Sequence, residues 1–82
     1  MMKFPNEVKR TKLIKILMSF GFKQIRHGRH LQMKKIVKDG ENIPLTIPNK
    51  KKLSVHSVRR IIFQANISRE EFLEAYYGNQ NK

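Results

Sequence analysis

The chain contains no cysteine. Disulfide cross-links and thiolate metal sites are thereby excluded, and cysteine usage leaves the redox compartment open. No stretch approaches the roughly 18 consecutive apolar residues that a membrane span needs. The opening MMKFPNEVKR has no apolar segment of the secretory kind, so a cytoplasmic domain is the expectation. Aromatic residues are few and form no RRM-type strand, which argues against base stacking as the obvious binding mode. Acids are the scarcest charge: six Asp and Glu stand against eighteen Lys and Arg, a formal net charge of +12 on 82 residues. Self-repulsion on this scale costs stability unless a polyanion relieves it. Nucleic acid is the expected partner, with an acidic protein or an anionic membrane as competitors. Glu70, Glu71 and Glu74 cluster late, while residues 1–38 hold only Glu7. The anion-facing surface is therefore expected from the first two thirds of the chain.

What is present reads as one domain, residues 1–82, of small size. In TKLIKILMSFGF, Leu13, Ile16, Leu17 and Phe20 repeat at helical spacing, and Gly21 closes the helix. FKQIR reads as a weak strand. HLQMKKIV reads as a stronger one, with Leu31, Met33 and Val37 on one face and His30, Gln32 and Lys34 on the other; Ile36 interrupts the alternation. NIPLTIP places Ile43, Leu45 and Ile47 together, and Pro44, lacking a donor, points to an edge strand. KDG fits a three-residue hairpin loop with Gly40 in the left-handed region. Val37 then pairs with Glu41, Met33 with Leu45 and Leu31 with Ile47, so all the apolar side chains share one face. A two-residue loop would expose half of them. PNKKKL reads as a loop. SVHSVRRIIFQAN reads as a helix capped by Ser54, with Val55, Val58, Ile62 and Ala65 inward. SREEFLEAYYG opens with the Ser68–Glu71 spacing of a capping box, and Phe72, Ala75 and Tyr76 can dock it. Tyr76 and Tyr77 read as core and rim. The fold class is α+β in the order α-β-β-β-α-α, a three-stranded antiparallel sheet with helices on one face.

Three histidines are the candidates for chemistry. His27 and His30 are three apart in IRHGRHLQMKK, but His56 lies on another element and the surroundings are cationic. A closed metal site is not expected. His30, at the start of a strand and facing away from Leu31 and Met33, would stand beside Arg29 and Lys34. Such a histidine can take the 2′-OH proton or protonate the leaving oxygen in RNA cleavage, or it can simply contact phosphate. His27 reads as a solvent-exposed turn residue before Gly28. His56 sits in the first turn of its helix, and KKKLSVHSVRR, with Lys50, Lys51, Lys52, Arg59 and Arg60, reads as a phosphate-binding strip.

LIKILMSFGFKQIRHGRH followed by PLTIPNKKKLSVHSVRRIIFQANISREEFLE resembles the HicA-type toxins, small mRNA interferases of toxin–antitoxin pairs. The shared features are a helix ending in G-F, a basic strand leading to a G-S-H turn, a V-P strand end, and a helix running from G-T-L-R toward A-G-I-S. The resemblance covers about residues 12–74. It implies a fold similar to double-stranded RNA-binding domains and a metal-independent endoribonuclease that cleaves mRNA and arrests growth. By the same resemblance His30 is the catalytic residue, Gly28 matches the motif glycine, and Arg29 stands where the family has serine. His56 and Ser57 replace the glycine and threonine that open the later helix. The family uses no cofactor and is neutralised by a HicB antitoxin, so RNA and a HicB-like chain are the implied partners. Arg26, Gly28, Arg29 and Lys34 are the expected RNA contacts around His30, with the 50–52 and 59–60 cations as a second strip. The alternatives are a non-catalytic RNA-binding protein of the same fold and a module for an acidic protein partner.

Overall fold

The computed structural model describes residues 3–78, without the side chains of residues 27 and 39. In chain order the elements are β1 (Glu7–Lys9), α1 (Arg10–Ser19), β2 (Lys23–His27), β3 (Leu31–Ile36), β4 (Asn42–Ile47), β5 (Lys52–Ser54), α2 (Val55–Gln64) and α3 (Arg69–Gly78). Strands β2, β3 and β4 form an antiparallel sheet in that spatial order. The predicted register is the observed one: Leu31 pairs with Ile47 and Met33 with Leu45, and all four are buried. The Val37 N–H donates to the Glu41 carbonyl at 2.8 Å across a 3-10 turn, Lys38–Gly40, with Gly40 at φ 78°. β4 is an edge strand, as Pro44 requires, and the Pro44 carbonyl accepts from Gln64 Nε2 at 2.9 Å.

α1 buries Leu13, Ile16 and Leu17, and α2 buries Val58, Ile61 and Ile62. Both helices end with a residue in the left-handed region, which turns the chain back so that late N–H groups reach the last free carbonyls. After α1 this residue is Gly21 (φ 101°), with Phe22 N–H bonded to the Leu17 carbonyl. After α2 it is Asn66 (φ 62°), with Ile67 N–H bonded to the Ile62 carbonyl. Asparagine is one of the few side chains that tolerate this backbone. Ser54 caps α2 by accepting from Ser57 N–H. The Ser68–Glu71 capping box opens α3 with reciprocal bonds of 2.9 and 3.0 Å. Phe72 is buried and Tyr76 half-buried, while Tyr77 is exposed and donates to the Lys3 carbonyl at 2.6 Å.

Two expectations need correction. PNKKKL is not all loop: Lys52 begins β5, which pairs antiparallel with β1 in a second, two-stranded sheet. The element order is therefore β-α-β-β-β-β-α-α. Val8 and Leu53, paired and each 1% exposed, supply the reason, since their burial draws two short segments into the core. His30 does not begin a strand. It lies in the bend of residues 28–30, one residue before Leu31.

Candidate nucleic-acid interface

Side chains alternate across β3, so burial of Leu31 and Met33 turns Gln32 and Lys34 to the face away from the helices. Arg26 is paired opposite Gln32, and Lys23 opposite Lys34, on that same outer face. A register shift between Gln24 and Arg26 leaves Ile25 as an extra residue in β2. Thr46 Oγ1 contacts Gln32 Oε1 at 3.5 Å across the next ladder. Ile25 and Ile36 are exposed there, and Ile36 is the residue that interrupts the predicted alternation.

His30 and Arg29 are both exposed in the β2–β3 connection. The predicted neighbours separate by distance. At about 3.3 Å per residue, Lys34 lies roughly 13 Å along the chain from His30, whereas Arg29 is adjacent. Arg26, level with Gln32, stands between them. Gly28 has no positive φ, and a Cβ built there meets nothing within 4 Å. The turn therefore does not demand glycine on steric grounds. The reading of His27 as an exposed turn residue concerns a side chain outside the described residues; its backbone ends β2 opposite Leu31.

The second strip is divided. Lys50, Lys51 and Lys52 line a cavity of about 340 Å³ with Lys9, Arg10 and Thr11. Arg10 anchors this corner, its N–H donating to the Lys51 carbonyl at 2.8 Å and its Nε to the Pro48 carbonyl at 3.0 Å. Lys52 is paired with Glu7 at 3.3 Å, both of them exposed. Arg59 packs its guanidinium over the Phe4 ring at 5.2 Å, whereas Arg60 faces a different cavity, of about 370 Å³. Thr46 and Pro48 contribute to that groove from the β4 side, and His56, Ser57, Arg60 and Gln64 from α2.

Sequence reasoning passed over Phe63. Phe63 is 85% exposed, the most exposed large apolar side chain among the described residues. The signal was available: with Val58, Ile62 and Ala65 inward, positions 56, 60 and 63 recur at i, i+4 and i+7 on the opposite face of the helix. Other cations are engaged with aromatic faces; Lys12 lies 3.9 Å from the Tyr76 ring centre. Glu71 has its carboxyl pKa lowered, chiefly by the Ser68 backbone N–H and then by the Ser68 hydroxyl.

These features define a small cationic α+β domain with an exposed histidine and arginine at one end of its sheet. The family described as the HicA toxin of bacterial toxin–antitoxin matches residues 10–67, more than half of the chain. The chain belongs to the HicA toxin family. No curated protein and no solved structure matches it. Membership makes it the toxin of a toxin–antitoxin pair and implies an antitoxin of the HicB type as partner. Among the described residues, no helix is long and apolar enough to cross a membrane.

Proposed function

We propose that this HicA-family chain is an endoribonuclease that cleaves mRNA, with His30 as the general acid or base. The carrying observation is the exposure of His30 in the 28–30 bend, beside Arg29 and at the end of an outer face that presents Arg26 and Lys34. RNA carries its own nucleophile next to each phosphorus, so cleavage needs a proton acceptor, a proton donor and charge stabilisation. Neutral His30 takes the ribose 2′-OH proton, the 2′-oxygen bonds to phosphorus, and the bond from phosphorus to the 5′-oxygen breaks. The leaving oxygen takes a proton, from water or from a protonated histidine. The products are a 2′,3′-cyclic phosphate and a 5′-hydroxyl. Arg29, exposed and adjacent to His30, offsets charge on the pentacoordinate transition state. Arg26 and Lys34 hold phosphates further along the strand, and Lys50 and Lys51 add a second patch of positive potential.

The test is His30→Ala. An exposed side chain carries little packing, so the variant keeps the fold by circular dichroism. Cleavage of a single-stranded RNA falls by about 10²–10⁴-fold, the usual worth of positioned acid–base catalysis, and growth inhibition on expression without antitoxin disappears. Cleavage by His30→Ala at the parent rate removes the assignment. A parent chain that binds RNA but yields no cyclic-phosphate product favours non-catalytic binding instead.

A further inference from the structure

The groove between β4 and α2 lies outside the 28–30 bend, yet it adjoins that end of the sheet. Leu31 and Ile47 form the last ladder pair of β3 and β4 at that end. His30 and Pro48 stand one residue beyond it along the chain, just outside the two strands, and Pro48 lines the groove. An RNA strand with its reacting phosphate at His30 therefore has its neighbouring nucleotides at the groove mouth.

We infer that this groove is a nucleotide subsite, in which Arg60 and His56 hold a phosphate while Phe63, outside the lining but on the same helix face as Arg60, stacks an unpaired base of the strand flanking the cleavage point. Four observations converge. The cavity, about 370 Å³, falls within the size range of small-ligand sites. Its lining contains a guanidinium, an imidazole and two hydroxyls (Ser57 and Thr46) but no carboxylate, which is the chemistry of a phosphate and sugar rather than of a cation. Gln64, one of the lining residues, is already tied to the Pro44 carbonyl, which fixes the helix against the strand on one side of the groove. Phe63 follows Arg60 by three residues on the same helix face and is 85% exposed. Leaving a whole aromatic ring in water costs solvation free energy that stacking on a base recovers. This subsite rests on the RNA-cleaving reading, since it takes the same strand.

The experiment uses the His30→Ala chain, which leaves RNA intact, and fluorescence anisotropy with a short end-labelled single-stranded RNA and with the same RNA annealed to its complement. Arg60→Ala and Phe63→Ala each weaken single-strand binding about tenfold. Phe63→Tyr keeps the parent affinity, and Phe63→Leu, apolar but without a π face, binds as poorly as Phe63→Ala. Duplex affinity is unchanged by Phe63→Ala, because no base is free to stack. Unchanged single-strand affinity in both Arg60→Ala and Phe63→Ala overturns the subsite while leaving the nuclease reading in place. Full affinity in Phe63→Leu also overturns it, because an apolar side chain without a π face then suffices. If the parent binds no RNA, both readings fall together.

Discussion

Leu31 lies directly opposite Ile47 across the β3–β4 ladder, with both side chains buried. This pair anchors the end of the sheet from which the 28–30 bend emerges, so His30 is positioned by a core contact that it does not itself make. A slip of one residue in this ladder would turn both apolar sets to solvent and redirect the bend. Truncating a buried leucine or methionine costs about 2–5 kcal/mol, a large part of the stability of a domain this small.

Gly28→Ala separates local backbone needs from contact with RNA. The position has no positive φ and open space around it. The melting temperature is expected to hold or rise slightly, since alanine restricts the unfolded chain more than glycine does. RNA affinity is expected to fall, because in the proposed binding mode the added methyl stands where the strand approaches the bend. Equal affinity of Gly28→Ala and parent in an anisotropy titration removes Gly28 from the interface.

Arg29→Ala and Lys34→Ala are expected to fail in different ways. In the proposed mechanism Arg29, next to His30, acts on the transition state. Its loss lowers kcat by roughly tenfold to a hundredfold, the worth of one charge-assisted hydrogen bond, with a smaller change in KM. Lys34 lies roughly 13 Å further along the strand. Its loss weakens binding evenly across sequences and reduces the slope of log affinity against log salt by about one. Identical kcat and salt behaviour in the two variants contradicts this division of roles.

Acid lability is expected to involve Glu71. Its carboxyl is held below its ordinary value of 4.5, first by the Ser68 backbone N–H, then by the Ser68 hydroxyl, with Lys35 contributing. A depressed folded-state pKa stabilises the fold above the unfolded value, and that contribution is lost as pH falls through the folded value. Glu71→Gln therefore has a flatter dependence of melting temperature on pH below the ordinary carboxylate range than the parent. Parallel curves for Glu71→Gln and parent through that range count against the capping box as an acid-sensitive element.

Much of the sheet and its helices could be read from local pattern. The length of the KDG loop and the demand that Leu31, Met33, Leu45 and Ile47 share a face leave one register. Gly21 and the Ser68–Glu71 spacing mark helix ends by their own chemistry. β1 and β5 could not be read this way, because three-residue segments carry too little periodicity and their pairing joins distant parts of the chain. The bulge at Ile25 was hidden for a related reason: β2 is an edge strand, exposed along most of its length, so burial imposes no clean alternation.

The candidate site divides along the same line. Composition alone determined a strongly cationic chain, and the order of its motifs pointed to the HicA toxins and to His30. Only the tertiary structure decided which cations come near one another and which are already engaged. It set Arg26 opposite Gln32 on the outer face, engaged Lys52 with Glu7 and Arg59 with Phe4, and turned Arg60 and His56 toward Thr46 and Pro48 in one groove. Charge and periodicity are properties of the chain, but proximity between elements depends on how the buried face of each one packs.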